Sequence, residues 1–454
     1  MRIQFSLACV AALAGLTACG GGGGGGDGGA VTPVTPPALT TTVKINGTAA
    51  VADANGQFAT QAGDTVEITP SEAAQWSSSG ASSTITLLNP GTTATKWSAQ
   101  ILNASATAGT YTVSATTTAS PARTKATVLA VAAGDARNGT YRVYASNGLQ
   151  YQLSLDFNLN RYTFTDQDGS HPVSYTFGTD ASEPGSFFFR SDRAPSTVNV
   201  SRFRVTTDAV VGAFPFVEPL ATTPTYAVKP FIAARKLITT AAELDGTYNL
   251  FGISREAAGN GSAITQTSLS AGGTVFKLCN SMQIFSIADC PSGVTLTYNV
   301  EPTDVSGVWR MVNVANANDT SRFVVARIGN QNVYLSGGAS NAIAGRYVMR
   351  IGVQDTPVWN VATGYGGSTG GSWGKVNLTA TGNTRNVIAA DGSTSMSTNT
   401  YVDLGLTGPA GLRFVANSAP NAGYFAIYNT KLLVLVGGAA PSTAAGYLQI
   451  NLLD

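Results

Sequence analysis

GGASNAIAGRYVMRI at residues 337–351 and GGAAPSTAAGYLQI at residues 437–450 are two copies of one pattern, in which a glycine pair, a short loop and a glycine lead into an alternating strand. Gly-Thr-Tyr triplets at Gly139 and Gly246 open strands of the same kind. The glycines at positions 139, 246, 345 and 446 stand 107, 99 and 101 residues apart, by subtraction of their numbers. Because triplets and flanks recur together, the sequence predicts three related modules of about 100 residues.

Each module carries about eight short alternating segments, which is typical of β-strands. In the second module they fall at residues 247–254, 263–270, 274–279, 282–287, 294–300, 308–314, 322–328 and 332–335. Short connections favour antiparallel meanders, and eight strands of this length suit a small barrel or a sandwich. Two four-stranded propeller blades per module, six in all, are the alternative. Thr, Ser, Gly, Asn and Val abound, so the fold class is all-β.

An N-terminal unit at residues 41–133 precedes these modules. It shows six or seven short strands, a tryptophan at Trp76 and a late Gly-Thr-Tyr strand at Tyr111. This pattern resembles a bacterial Ig-like or PKD-type sandwich, although inter-sheet cysteines are missing. The resemblance places Trp76 in the core and Tyr111 at the corner position, and implies a spacer or an adhesive module.

The first residues have the pattern of a bacterial export signal. Arg2 precedes an apolar run, residues 3–16, that is too short to span a bilayer as a helix. Leu16-Thr17-Ala18-Cys19 follows and resembles the lipobox of bacterial lipoproteins. The resemblance implies cleavage after a signal peptide at residues 1–18, with acyl chains on the sulfur and the new amine of Cys19. The alternative is an ordinary secretory peptide cut nearby.

Residues 19–40 form a glycine-rich and proline-rich tether that cannot pack a core. Gly20 follows the cysteine, in place of the aspartate that retains such lipoproteins on the inner membrane, so the resemblance implies an outer-membrane anchor. The resemblance does not specify whether the protein faces the periplasm or the cell surface. After the tether and the unit at 41–133, we expect modules at residues 134–240, 241–340 and 341–454, with a closing strand at the C-terminus.

Cysteine usage leaves one pair for a disulfide. The lipobox resemblance implies that Cys9 leaves with the signal peptide and that Cys19 is lipidated, which leaves Cys279 and Cys290. In an oxidising envelope this pair predicts one disulfide, which would stabilise the fold by about 3 kcal/mol in the chain-entropy model. Two free thiols or a two-ligand metal site are the alternatives.

The sequence contains short motifs that resemble catalytic or metal-binding sites, but the residues around them do not fit those sites. His171 is the single histidine, which excludes a multi-histidine zinc site. The letters of a nucleophile elbow occur around Ser368, but in a Gly/Ser-rich stretch with no histidine after it. Asp166-Gln167-Asp168 resembles the start of a calcium loop, yet its twelfth position is Phe177, so a hairpin turn is favoured. We expect no enzyme, cofactor or metal.

One glycine-rich stretch is a candidate binding loop. Trp359, Tyr365 and Trp373 flank or interrupt the glycines, and aromatic faces beside small polar groups suit sugars or a protein partner. In the alternative interpretation the two tryptophans pack into the sheet and the loop merely connects strands.

The net charge of +1, with 11% charged residues, does not indicate the basic surface that nucleic-acid binding requires. We therefore expect a lipoprotein, held to the membrane through its lipid, that presents β modules for non-catalytic binding or adhesion to a glycan or a protein. A periplasm-facing accessory of an envelope complex and a carbohydrate-active hydrolase are the alternatives. The oligomeric state is open.

Overall fold

A computed structural model describes residues 36–79, 85–103, 107–167, 170–193, 200–281, 283–354, 356, 358–405, 407–416, 423–439 and 441–454. The predicted signal peptide, Cys19 and the glycine run lie outside these residues. Within them the fold is all-β, as predicted, and begins with two sheets. No helix of the described part is long and apolar enough to cross a membrane.

The N-terminal unit is a two-sheet sandwich. Its strands are β1 (Thr41–Ile45), β2 (Thr48–Ala49), β3 (Gln57–Thr60), β4 (Thr65–Pro70), β5 (Ala74–Ser79), β6 (Ile85–Thr93), β7 (Lys96–Asn103), β8 (Gly109–Thr117) and β9 (Thr124–Val131). One sheet has the order β2-β1-β4-β7-β6 and the other β3-β9-β8-β5, and β3 pairs with β9 in parallel. The described residues thus form nine strands, more than predicted, because β2 and β3 are too short to show a pattern.

A different tryptophan from the predicted one fills the sandwich core. Trp97, on a central strand, is 3% exposed and packs with Ile68 and Leu129. Trp76 lies on the edge strand β5, is only half-buried, and donates its indole N–H to Thr93 O at 2.7 Å. The prediction for Trp76 was thus correct only in part: its ring packs against the core, but it remains partly exposed because β5 is an edge strand. Tyr111 is buried, and its hydroxyl donates to Ser78 Oγ at 2.8 Å.

The described residues between 139 and 453 form three closed antiparallel barrels of eight strands each. Barrel 1 contains β10 (Gly139–Ala145), β11 (Gln150–Asp156), β12 (Arg161–Asp166), β13 (Val173–Thr179), β14 (Ser186–Phe189), β15 (Arg202–Val205), β16 (Ala209–Val217) and β17 (Tyr226–Ala234). Barrel 2 contains β18 (Gly246–Glu256), β19 (Gly259–Ser270), β20 (Val275–Cys279), β21 (Thr295–Pro302), β22 (Trp309–Asn313), β23 (Thr320–Ile328), β24 (Gln331–Ala339) and β25 (Tyr347–Gln354). Barrel 3 contains β26 (Ala362–Ser368), β27 (Ser372–Thr379), β28 (Gly382–Ala389), β29 (Thr394–Asp403), β30 (Arg413–Val415), β31 (Tyr424–Tyr428), β32 (Leu432–Gly437) and β33 (Leu448–Leu453).

In each barrel the last strand pairs with the first, so the modules are barrels, and the propeller alternative was wrong. The predicted start of the third module was also wrong. β25, predicted to open a module at residues 341–454, instead closes barrel 2 by pairing with β18, and barrel 3 begins at Ala362. A closing strand carries the same alternation as an opening strand, so the repeat alone cannot tell them apart. β33 closes barrel 3, as predicted for the C-terminal strand.

The segment at 282–287, predicted as a strand, is a loop in its described part, residues 283–287. Its backbone N–H groups donate to side-chain and loop oxygens in place of a strand: Ile287 N–H bonds Gln266 Oε1 at 2.8 Å, and Ser286 N–H bonds Thr407 O at 2.9 Å. Ile284 packs against the apolar core between the barrels, which explains the apolar pattern that suggested a strand.

The barrels share a core that none of them could form alone. Val211 and Ile232 of barrel 1, Val324 and Ile351 of barrel 2, and Val434 of barrel 3 belong to one buried cluster. Their neighbours along each strand face the barrel interiors, so these strands are buried on both faces and read as continuous apolar runs. The three barrels therefore form one packed body.

The Gly-Thr-Tyr triplets have the same structural role in the first two barrels. Tyr141 and Tyr248 are both fully buried, and each hydroxyl donates to the carbonyl four residues earlier, Arg137 O at 2.7 Å and Leu244 O at 2.8 Å. Each tyrosine thereby anchors the chain that enters its barrel.

Candidate functional site

The structure does not support the predicted binding loop. Gly364 to Gly367 lie within β26, and the two tryptophans are buried, Trp359 at 3% and Trp373 at 0% exposure. The indole N–H of Trp373 donates to Glu183 Oε2 of barrel 1 at 2.7 Å. The prediction of an exposed aromatic loop was wrong, because this hairpin is pressed between two barrels. The alternative interpretation, tryptophans packed into the sheet, is confirmed.

The remaining two aromatic residues of that stretch pack beneath guanidinium groups. Arg413 lies 4.5 Å from the ring centre of Trp359 inside barrel 3, and Arg204 of barrel 1 lies 4.6 Å from that of Tyr365. These are cation–π contacts within the protein. The faces that a sugar would need are therefore occupied.

The predicted disulfide between Cys279 and Cys290 is confirmed, with 5.7 Å between the Cα atoms. It joins the end of β20 to the loop that carries Ile284 into the core between the barrels. The bond is therefore structural.

The motifs that failed on context also fail on geometry. His171 is exposed at the β12–β13 hairpin, with Nδ1 2.9 Å from Asp166 Oδ2, which confirms the hairpin. Asp168 lies outside the described residues. Ser368 is buried at the end of β26, its Oγ 2.9 Å from Ser372 Oγ, in a strand–turn–strand unit without a following helix. The described residues contain no group of three or more His, Cys, Asp or Glu placed to hold a metal ion.

Asp180 and Glu183 are two carboxylates that share one arginine. Arg202 bridges them, with its nitrogens 3.0 Å from Asp180 Oδ2 and 3.2 Å from Glu183 Oε1. Burial raises the pKa of Glu183, while the Trp373 indole and Arg202 oppose the shift. Because both oxygens of Glu183 already accept hydrogen bonds, the pair holds barrel 1 to barrel 3 and is not poised for acid–base chemistry.

A polar cavity of about 450 Å³ lies between barrels 1 and 2. We call it the arginine cleft, after Arg310, Arg322 and Arg350 in its wall; its other polar lining residues are Gln150, Gln167, Asp319, Thr320, Ser321, Ser340 and Asn341. Barrel 1 contributes the two glutamines and barrel 2 everything else. The lining thus contains three arginines and one carboxylate, Asp319. The cleft is thus the wrong place for a cation and a suitable place for an anion.

The register of the strands concentrates this charge. Arg310 on β22 lies directly opposite Arg322 on β23, and like charges in that relation are destabilising. Arg310 Nη1 is 3.0 Å from Glu301 Oε1, in an exposed pair. Arg322 is exposed and has no carboxylate partner among the described residues. The repulsion between the two arginines is therefore only half relieved by the protein itself.

Arg350 reaches the cleft from within barrel 2. Its neighbours Met349 and Ile351 face the core between the barrels, so Arg350 points to the interior side of β25, where it is half-buried. It also has no carboxylate partner in the described part of the chain. The hydroxyls of Tyr334 and Ser336 are buried on the same side of the barrel wall.

The single carboxylate of the cleft is already engaged. Asp319 Oδ2 accepts from the Tyr298 hydroxyl at 2.9 Å and from Asn313 Nδ2 at 2.8 Å. Burial, together with Asp319, raises the pKa of Tyr298 to about 12, so this hydroxyl remains a donor at neutral pH. Asp319 keeps its negative charge in these hydrogen bonds, and it forms no ion pair with an arginine in the described part of the chain.

The cleft walls are fixed by hydrogen bonds. Asn341 Nδ2 donates to both the carbonyl and the hydroxyl oxygen of Thr320 at 3.0 Å, which fastens the loop after β24. Across the barrel boundary, Gln150 Nε2 donates to Gly337 O. Arg142 Nη2 in turn donates to Gln150 Oε1 at 3.1 Å. A ligand would therefore meet a preformed site.

Sequence reasoning missed the cleft. Its arginines are 12 and 28 residues apart, and only the strand register brings them together. The outward position of Arg322, next to the inward Phe323, was a signal, but its partner strand could not be identified.

A smaller cavity, about 210 Å³, lies at the mouth of barrel 1. Tyr151, Phe164 and Phe216 form its floor, and His171 and Arg193 lie at its rim. The aromatic rings fill the barrel beneath this cavity, so its floor offers few polar groups to a ligand. The arginine cleft is therefore the stronger candidate site. No family model matches the chain, and no curated protein matches it.

Proposed function

We propose that the protein is an envelope lipoprotein that binds, without catalysis, an acidic saccharide in the arginine cleft. The observation that carries the proposal is the set of three arginines in the wall of one cavity, of which only Arg310 has a carboxylate partner, Glu301. Guanidinium forks pair with carboxylate and sulfate groups in two parallel hydrogen bonds. The ligand would relieve the repulsion between Arg310 and Arg322.

The remaining lining favours a polyhydroxylated body over a bare inorganic anion. Amide and hydroxyl groups of Gln150, Gln167, Thr320 and Asn341 surround the arginines, and they can exchange hydrogen bonds with sugar hydroxyls. The volume of about 450 Å³ lies within the range of roughly 300–1,000 Å³ that small-molecule pockets span. One or two acidic sugar units would fit this chemistry.

Binding to acidic and neutral oligosaccharides on an array tests the proposal. We expect the wild type to bind uronic-acid or sulfated glycans and the double variant Arg310→Gln/Arg322→Gln to lose at least about tenfold in affinity, because charged hydrogen bonds are lost. Arg161→Gln, an exposed arginine on barrel 1, is the matched control. Equal binding by the double variant, or preference for neutral glycans, would refute the cleft as the site.

Anchoring at Cys19 is the second part of the proposal, supported by the lipobox resemblance and the tether in the sequence. Two acyl chains give firm membrane attachment. We expect Cys19→Ala to move the protein from the membrane fraction to the soluble fraction of cells. Protease shaving of intact cells would separate a surface-facing molecule, which is cut, from a periplasm-facing accessory protein, which is protected.

A further inference from the structure

The interior of barrel 3 is polar at one end. Gly364, Gly366 and Gly374 face it, as the register with inward Leu453 and Val376 shows, and leave it without side chains over these positions. The same alternation turns Ser368, Ser372, Arg385, Asn383 and Gln449 inward. Trp359, Leu378 and Tyr401 are buried toward the other end, whereas Leu435 lies opposite Gln449 at the polar end. The interior thus changes from apolar to polar along its length.

Arg385 is a buried cation without a counter-ion. It is 7% exposed, its Nη2 donates to Ser372 Oγ at 3.4 Å, and its Nε has no partner. No described residue forms a salt bridge with it, whereas Arg202, Arg204 and Arg413 are all paired. Burial also lowers the pKa of Arg385. An unpaired buried charge is costly, so it calls for an anion that the protein does not itself supply.

Further donors lie on the same side of the interior. Ser372 Oγ and Ser368 Oγ are 2.9 Å apart, so their hydroxyls are within reach of a group bound at Arg385. Asn383 lies farther along β28, opposite Leu378, where its Oδ1 accepts from the Tyr401 hydroxyl at 2.6 Å. The polar end therefore offers hydroxyl groups beside Arg385, and no carboxylate of the described residues forms an ion pair with that arginine.

One part of the barrel 3 wall is exposed next to Arg385. Of β29, only Tyr401–Asp403 pairs with β30, and among the described residues the earlier part of β29 pairs with β28 alone. Ser397, which lies opposite Arg385 in register, is exposed, whereas Arg385 itself is 7% exposed. A ligand would therefore have to enter beside this part of β29.

We propose that the polar end of barrel 3 binds a small organic carboxylate, with Arg385 as its counter-ion and Ser372 as a second donor. The carboxylate matches the guanidinium fork, and Leu435, which lies opposite Gln449 at the same end, offers an apolar contact that an inorganic anion would not use. This site is independent of the arginine cleft, because it lies in another barrel.

Calorimetric titration and thermal unfolding with hexanoate, benzoate and inorganic phosphate test the site on the full chain. We expect hexanoate or benzoate to bind and to raise Tm, and Arg385→Met to reduce the affinity about 10- to 100-fold. Arg161→Met is the matched control and should bind as the wild type does. Ser372→Ala, a smaller change, should weaken binding several-fold and serves if the first variant does not fold.

Carboxylate binding that is unchanged in Arg385→Met or, where that variant does not fold, in Ser372→Ala would overturn the proposal. So would the absence of carboxylate binding by the wild type, or binding of phosphate alone. The cleft variant Arg310→Gln/Arg322→Gln should retain carboxylate binding, and its loss there would assign the carboxylate to the cleft instead.

Discussion

Barrels 1 and 3 have the same number of strands, but their interiors are filled by different groups. The interior of barrel 1 is a continuous set of aromatic rings, in which Phe164 and Phe214 have centroids 4.3 Å apart and Phe189 and Phe203 also 4.3 Å. Barrel 3 has glycines and polar groups at the corresponding depth. Side chains fill the first barrel, and close approach of the backbone fills part of the third.

Glycine makes that approach possible. A Cβ at Gly366 would lie 1.9 Å from Ile450 O, and one at Gly374 would lie 2.0 Å from Asn386 O. Because the outer faces of β32 and β33 are buried in the core between the barrels, barrel 3 does not depend on its interior alone for stability. A barrel that is supported from outside can keep a polar interior, and this is where a binding site can be placed.

Phe214→Ala should have the largest effect on stability, a loss of about 3–5 kcal/mol, because the rings around it cannot close over the space. Leu433→Ala, inside barrel 3, is the matched change and should cost less, since its surroundings can relax. Chemical denaturation of both variants measures the free energies of unfolding. A larger loss for Leu433→Ala would reverse the comparison.

Gly366→Ala should destabilise by about 1–3 kcal/mol, because its Cβ requires β26 to move away from β33. Gly370→Ala is the control: its Cβ would meet only Ser368 Oγ, at 3.5 Å, and its backbone is not in the left-handed region. If thermal unfolding shows equal Tm values for the two variants, the close approach in barrel 3 is not needed.

Arg385→Met should stabilise the protein by about 1–2 kcal/mol when no carboxylate is added, because an apolar side chain replaces an unpaired buried charge. Arg161→Met, at an exposed position, should leave stability nearly unchanged. Denaturant titration in a buffer without carboxylates gives the difference. Marked destabilisation would mean that Arg385 is satisfied within the protein.

The smallest effect concerns the contact between the two compared barrels. Burial raises the pKa of Glu183 above the ordinary value of a glutamate, so the folded state holds this proton to higher pH than the unfolded state. Stability should therefore fall as the pH rises from the ordinary glutamate pKa through the raised one. Glu183→Gln removes this dependence.

The measurement is the slope of unfolding free energy between pH 4 and pH 7 in wild type and Glu183→Gln. The absolute stability of the variant is not diagnostic, because its amide N–H₂ must face either Trp373 or Arg202. A wild-type slope no steeper than that of the variant would contradict the raised pKa of Glu183.

Local patterns in the sequence predicted the strands, the barrels and the disulfide, since alternation and cysteine usage are local properties. They misplaced Trp373, because its indole meets Glu183 across 190 residues and nothing near it signals a partner. The same holds for Arg310 and Arg322, whose opposition depends on strand register. Arg385 lies in an ordinary polar strand, and only burial distinguishes it from the exposed arginines.

The core between the barrels has a consequence for how such a chain can change over time. A barrel cut out of this protein would expose strands such as β32, whose residues are all buried here, and an exposed apolar sheet face invites aggregation. Although the sequence consists of repeats, we expect that a single repeat cannot be removed or expressed alone without exposing this core. The three barrels should therefore fold as one unit.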